Sequence, residues 1–343
     1  MTARRGTPTG ARRGTERHVP VLLSQALSLL APRSGASYID ATFGAGGYSR
    51  AILEAAPGCS VVAIDRDPAA IALGAPTTEA FGRRLVLIND RFSNLESIAR
   101  SSGAAPADGI VFDLGVSSMQ LEDAERGFSF QGDGPLDMRM SATGTPAAAI
   151  VNSAAEADLA RILHDLGEER GARAIARRIV ARRQERPFLR TRDLAQTVVR
   201  ALGREKIAGR HAATRTFQAL RLYVNQELEE LAAALEACER VLGAGGRLVV
   251  VTFHSLEDGL VKRFLKQRAS PPAQASRHRP PGPSEAVRPS FQILNQRPLT
   301  PSSQEIEANW RARSAKLRAA VRTAAPAWPP TVSRRAGAAA QCA

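Results

Sequence analysis

Cysteine is scarce: three occur in 343 residues, Cys59, Cys238 and Cys342. They are odd in number, far apart, and in no CxxC or Cys/His ligand spacing, which argues against a disulfide framework or a zinc site and for a reducing compartment. No metal is expected. Long apolar runs are also missing. The longest early one, Val21 to Leu30, is interrupted by Ser24, Gln25 and Ser28, so it is neither a signal-peptide core nor a membrane span, and a cytoplasmic protein is expected. Acidic residues are in deficit, with 33 Asp+Glu against 47 Lys+Arg, a net charge of +14 and a pI near 11.0. That balance points to a polyanionic partner, nucleic acid ahead of an anionic membrane surface. The basic residues are mostly arginine and alanine is abundant, a bias that genome composition can also produce, so where the charge sits matters more than its total. There is no internal repeat.

What is present suffices for a real core: 44% of residues are hydrophobic, in a chain long enough for one large domain or two ordinary ones. Residues 1–17 are Arg-rich and acid-poor and read as a disordered basic tail. From His18 to Leu30 an entry segment and helix are expected. A first strand, Ser37 to Phe43, then meets Gly44, Ala45, Gly46 and Gly47 before a helix opening at Tyr48. Glycines between strand and helix let a ligand approach the backbone, and free N–H groups at the helix start suit an anionic group such as a carboxylate. The second strand, Ser60 to Ile64, ends in Asp65, twenty-one positions after Gly44. At that spacing an acid takes ribose hydroxyls in nucleotide-binding βαβ units. Asp67 and Pro68 start a helix, so Asp65 could also serve its N-terminus; ribose is favoured. A dinucleotide fingerprint needs a third small residue where Ser49 stands, and nothing clearly seats a pyrophosphate. The third strand is Arg84 to Asn89. The fourth, Gly109 to Phe112, is a short apolar run of the covered parallel kind that stops at Asp113, where ligands of open α/β sheets sit. Asp113 could equally cap the next turn.

From 115 to 211 the strand pattern gives way to helices over Ala155–Leu166, Glu168–Glu185 and Thr191–Leu202, which read as an inserted helical domain. Its middle helix carries Arg170, Arg173, Arg177, Arg178, Arg182 and Arg183, a density of one sign better suited to phosphate than to plain solvation. One long helix is expected over Thr214–Ala237, with Phe217, Leu220, Val224, Leu228, Leu231 and Leu235 on its core stripe. Arg215 and Arg221 lie off that stripe and could face the crevice. Gly245 and Gly246 lead into a fifth strand, Arg247 to Phe253. After it, Ser255 with Asp258 fits a capping box, while His254 is either a substrate contact or structural. Arg268 to Pro289 is a Pro-rich, basic linker. Phe291–Leu299 and Ala312–Arg322 would supply the last strands, and residues 323–343 read as a disordered tail.

The runs DLGVSSMQL, ERGFSF and DGPLDMRM after the fourth strand resemble the bacterial S-adenosylmethionine-dependent methyltransferases that modify the exocyclic N4 of a cytidine in 16S ribosomal RNA. The resemblance extends to FGAGG, DRDP, ATRTFQALRLYVNQELEEL, GGRLVVVTFHSLED and RARSAKLR, covering His18 to about Arg322. It implies a Rossmann-like class I methyltransferase α/β sheet built from 18–114 and 212–322, with the all-helical domain 115–211 inserted for substrate. It implies S-adenosyl-L-methionine as cofactor, held by Gly46, Gly47, Tyr48, Asp65, Phe92, Asp113 and Gln120, with Asp113 also catalytic. By the same resemblance Phe92, which could otherwise be core, lies against the adenine. The family usually has His at Tyr48, proline at Ala212 and Asn-Pro at Asn309-Trp310. Expected substrate contacts are Phe128 and Phe130, as stacking partners or loop anchors; Arg139, on a phosphate or bracing its loop; and Arg215, Arg221 and His254. The partner implied is 16S rRNA, within the small ribosomal subunit; a homodimer is allowed. Three other readings stay open. An oxidoreductase would bind NAD, a methyltransferase with another acceptor would ignore RNA, and a non-enzymatic RNA-binding assembly factor would bind RNA without turnover.

Overall fold

Every parallel strand up to the crevice is a short β-branched run ending in a carboxylate or carboxamide, and these ends line up along one edge of the sheet. The computed structural model describes residues 20–270 and 288–329. The strands are β1 Ser37–Asp40, β2 Ser60–Asp65, β3 Leu85–Asn89, β4 Ala107–Asp113, the short pair β5 Lys206–Ile207 and β6 Arg210–His211, β7 Leu242–Thr252, β8 Phe291–Ile293 and β9 Lys316–Arg322. The main sheet has the order β3-β2-β1-β4-β7-β9-β8. β1, β2, β3, β4 and β7 are mutually parallel, and β9 runs antiparallel between β7 and β8. Chain order reverses between β1 and β4, so the crevice above Asp40 and Asp113 is the topological switch point where such sheets bind ligands.

One sheet face packs Ile39, Ile64, Ile110, Phe112, Leu248 and Val250 against Leu231, Leu235 and Phe264. The other packs Tyr38, Val61, Val111, Val249 and Leu317 against Leu22, Ile52 and Leu53. Side chains alternate along each strand, and both faces are covered by helices, hence the near-continuous apolar runs. A third core lies in the helical segment, with Leu159, Leu163, Ile175, Ile179, Leu194 and Val198 around Phe188 and Phe217. Among the described residues no helix is long and apolar enough to cross a membrane.

Several element bounds differ from expectation. The helix expected over Thr214–Ala237 is two, Thr214–Asn225 and Glu227–Val241, broken at Gln226 in the left-handed region with φ 52°. The stripe continues through the break, so periodicity alone could not show it. Buried Asn225 explains the site of the break, since its Oδ1 accepts from Met140 N at 2.9 Å and its Nδ2 donates to Met138 O at 2.8 Å. The helix after β7 is capped by His254, not Ser255: Glu257 N donates to His254 Nδ1, and Glu257 Oε2 accepts from His254 N, both at 3.4 Å. Asp258 turns instead to Arg318 and Lys316.

The middle helix begins at Ala172, because Glu168 takes φ 49° and closes the helix before it. Gly245 and Gly246 lie inside β7, β8 is only three residues long, and β9 starts at Lys316 after a 3₁₀ turn over Trp310–Ser314. Arg268 belongs to the helix Ser255–Ala269 and is buried there; residues 271–287 of the Pro-rich linker lie outside the described residues. So do the basic tail and residues 330–343. Residues 324–329 pack near the helices Glu227–Val241 and Ser255–Ala269, with Trp328 N donating to Glu239 Oε1 and its indole N–H to Arg288 O, each at 2.9 Å.

Candidate active site

The loops leaving β1, β2 and β4 surround one pocket, which the 309–311 segment also lines. After β1, Gly46 adopts φ 77°, and a Cβ there would fall 2.8 Å from the Phe43 ring. At Gly47 a Cβ would fall 2.2 Å from Pro20. Only glycine lets the first turn of the helix Gly47–Ala55 lie this close to the pocket wall. Gly47 and Tyr48 line the pocket; Gly46 makes the turn behind them. Tyr48 is buried in the core, and its hydroxyl donates to Val21 O at 2.6 Å.

Asp65 closes the second side. Its Oδ2 accepts from Gly44 N and its Oδ1 from Asp67 N, each at 2.8 Å, which ties the end of β2 to the glycine loop. Burial raises its pKa. Asp67 caps the helix Pro68–Leu73 through Ala69 N, and its other oxygen accepts from Gln120 Nε2 at 2.8 Å and Arg126 Nη1 at 2.7 Å. Gln120 is thereby fixed against the pocket, its Oε1 accepting from Ser117 N at 3.0 Å. Phe92 lines the pocket with its ring edge-on to Phe112, centroids 5.8 Å apart.

At the floor stands Asp113. Thr42 Oγ1 accepts its backbone N–H at 2.6 Å, and Leu114 N donates to Val251 O at 3.0 Å, so the end of β4 is fixed on both sides. Although Asp113 as a residue is only half-buried, its Oδ1 is sealed from solvent and has no hydrogen-bond partner. Burial, then the charges of Asp40 and Glu257, push its pKa up to about 8. Asp40, fully buried beneath, accepts from Ser49 Oγ at 2.7 Å and Thr42 N at 3.1 Å; burial lifts it to about 6. A sealed carboxylate oxygen without a donor costs hydration unless a ligand supplies a donor or a positive charge.

The six expected substrate residues lie away from this pocket. Phe128 is buried in the helical core beneath Arg126. Phe130 is half-buried, 4.5 Å from the His211 ring and 4.9 Å from Phe217. Arg139 is held by Asp137 through two bonds of 2.8 and 2.7 Å and also donates to the carbonyls of Ala142 and Gly144, bracing its own loop. Arg221 is enclosed and bidentate on Glu227 at 2.7 and 2.9 Å; burial disfavours its charge, but Glu227 and Glu257 outweigh that and raise its pKa. His254 is half-buried in its capping role, and Arg215 is exposed, donating to Glu168 O at 2.7 Å. Pocket residues that the sequence did not assign to the site include Thr42, Arg66, Met140, Asn309 and Arg311. RARSAKLR is visible as a motif, but nothing in it says that its first arginine folds back 193 positions onto Ser118.

A seven-stranded sheet in this order, with a glycine turn after β1, an acid after β2 and an acid at the end of β4, defines a class I methyltransferase. The residues present suit S-adenosylmethionine, a cation with a ribose and a carboxylate: a glycine cradle at a helix start, and acids at Asp65 and Asp113, the latter with an unsatisfied oxygen. The sequence matches the family described as the MraW methylase family over residues 15–323, and the chain belongs to it. Among its relatives, the ribosomal RNA small subunit methyltransferase H of Azorhizobium caulinodans is 55% identical over 328 residues, covering 96% of this chain and 93% of that protein. Proteins of the same name from Nitrobacter hamburgensis and Bradyrhizobium diazoefficiens are each 58% identical, over 311 and 310 residues, covering 91% and 90% of this chain and 92% and 93% of theirs. S-adenosylmethionine is the methyl donor of this enzyme.

Tyr48 gives a local test. Tyr48→His should remove the bond to Val21 and cost about 1–2 kcal/mol of stability, while S-adenosylhomocysteine affinity stays within about threefold. Thermal unfolding and titration calorimetry check the two separately, and a large loss of affinity would show that the tyrosine side chain, not its backbone, serves the cofactor.

Proposed function

We propose that this enzyme methylates the exocyclic N4 of a cytidine in 16S ribosomal RNA, with the small ribosomal subunit as its acceptor. The observation that carries the reading is Asp113, whose sealed, unsatisfied oxygen stands at the end of β4 in the cofactor pocket. The relatives' shared name supports the acceptor.

In this reading Asp65, which uses two of a carboxylate's roughly four acceptor positions on backbone N–H groups, offers the remainder to ribose hydroxyls. Phe92 covers the adenine, and the helix start at Gly47 receives the carboxylate. Bound S-adenosylmethionine supplies a methyl group on a sulfonium. The cytosine amino group is a poor nucleophile because its lone pair is delocalised into the ring. Asp113 and the Leu114 carbonyl accept hydrogen bonds from its two N–H groups, turn the nitrogen toward the methyl group and stabilise the positive charge that develops there, and the Asp113 carboxylate takes the proton that the nitrogen then loses. Of the expected substrate contacts, Arg215 and Phe130 keep free surface and are the ones proposed to meet RNA; Phe128, Arg139, Arg221 and His254 hold the loops and helix ends around the crevice.

The test is transfer of labelled methyl to small subunits from cells lacking this activity, followed by nucleoside analysis. N4-methylcytidine at one site supports the reading, while no transfer to subunits or free rRNA with cofactor still bound would require another acceptor. Free, buried Cys59 and Cys238 support a reducing, cytoplasmic setting. The reading allows a homodimer, which light scattering of the full chain checks.

The arginine cluster is divided by the fold. Arg182 pairs with Asp193 and Arg183 bonds the carbonyls of Val151 and Ala154, whereas Arg170, Arg173, Arg177 and Arg178 are exposed. Replacing the exposed four by glutamine should weaken RNA binding at all sequences alike and lower the slope of log K against log salt by about one for each phosphate no longer neutralised. An unchanged slope would assign that face to solvent.

A further inference from the structure

Arg66 and Arg311 are the cationic side chains lining the pocket among the described residues. Arg66 is committed: its Nε donates to Ser141 Oγ at 3.1 Å and its Nη1 to the Asn225 carbonyl at 2.7 Å. Arg311 is held differently. Its backbone is fixed by Asn309, whose Oδ1 accepts Arg311 N at 3.1 Å, and by the fully buried Ala312 next to it. Its Nη1 reaches Ser118 Oγ at 3.1 Å and Glu122 Oε1 at 3.4 Å. Glu122 is 68% exposed, so that pair is screened and weak. Arg311 Nε is sealed from solvent and has no acceptor. An enclosed guanidinium N–H gives up hydration without return unless a bound group accepts from it. The pocket's other ionisable side chains are the carboxyls of Asp65 and Asp113, which suit the cationic parts of a ligand; an anionic part is left to Arg311 and to the N–H groups of the Gly47 helix start.

We propose that Arg311 is the anion anchor of this pocket, its guanidinium taking an oxyanion: the carboxylate of the bound cofactor, or a backbone phosphate beside the target nucleotide. The inference rests on the methyltransferase reading only for the source of that anion. The experiment uses the full chain with Arg311→Ala and Arg311→Lys. Calorimetry measures S-adenosylhomocysteine and methylthioadenosine, which lacks the amino-acid moiety; kinetics measure KM for the RNA substrate against salt.

If the anion is the carboxylate, Arg311→Ala weakens S-adenosylhomocysteine about tenfold or more, leaves methylthioadenosine unchanged, and Arg311→Lys restores part of the loss. If it is a phosphate, both adenosine ligands bind as before, KM for RNA rises by a similar factor, and the salt slope falls by about one. The proposal is overturned if neither affinity nor KM moves, or if both adenosine ligands weaken together, which would make Arg311 a brace for Ser118. Should the alanine variant fail to fold, the lysine variant gives the same readings on a retained charge without the planar fork. S-adenosylhomocysteine binding does not depend on the acceptor. Wild-type chain that binds it but methylates no rRNA would therefore count against the proposed acceptor and not against Arg311.

Discussion

Asp113→Ala should lower methyl transfer by at least about a hundredfold, the scale set by removing one preorganised acceptor or donor from a developing charge, while S-adenosylhomocysteine binding weakens far less. The same carboxylate should reduce the stability of the empty protein. Its pKa is near 3.8 in the unfolded chain and about 8 when folded. Between those values the native chain binds more protons than the unfolded one, so the free energy of unfolding falls as pH rises from about 4 to about 8. Asp40, raised to about 6, adds a slope of the same sign over its lower part.

Asp113→Asn keeps the shape and removes one titration. It should therefore unfold several degrees higher than wild type at pH 8–9, where the full cost of the ionised carboxylate is present, and show little difference near pH 4. Thermal unfolding across that range measures it. In parallel, kcat/KM for the cofactor should rise with pH through about 8, since that quantity reports groups of the free enzyme. An asparagine variant that retains turnover, or shows no pH-dependent gain in stability, would remove Asp113 from the centre of the site.

The largest expected loss of stability is remote from the pocket. Arg268 and Glu239 are 2% and 1% exposed, with Nε donating to Oε2 at 2.8 Å. The pair is built into the sheet edge: Glu239 Oε1 accepts from Trp328 N, the Glu239 carbonyl accepts from Arg322 Nε, and the guanidinium lies 4.9 Å from the Trp328 ring and 5.3 Å from that of Phe264. Glu239→Ala leaves a buried cation without its partner and should cost about 3–5 kcal/mol, a drop in Tm on the order of 10 °C. Arg268→Ala should cost a similar amount for the converse reason. The double variant Glu239→Leu with Arg268→Met fills the volume and removes both charges of the pair, so it should recover much of the loss, short of what buried Arg322 gives up with its Glu239 counter-charge. If the double variant loses the sum of the single losses, the pair is not coupled and packing alone explains its burial.

In the sequence Arg268 reads as the first residue of a basic linker, and Trp328 as part of a tail. Local composition describes them correctly, since each lies beside Ala and a Pro-Pro pair. Only the approach of the helix Glu227–Val241 brings Glu239 to both, 29 and 89 positions away, and no local pattern encodes that distance.

Amino-acid order was enough to find the parallel strands, because covered parallel strands need contiguous apolar residues, and the glycine turn with Asp65 and Asp113 after them, because those positions follow from where such strands end. It said less about loop side chains. His254, Arg139, Arg221 and Phe128 carry the residue types of a substrate site, yet the fold gives them a helix cap, Asp137, Glu227 and the helical core. Whether a histidine or arginine faces a ligand or a neighbour depends on which partner arrives from elsewhere in the chain. Three-dimensional packing decided which neighbours those side chains meet, as it decided the break at Gln226, where Asn225 holds the loop around Met140, and the return of Arg311 to the pocket through Ser118.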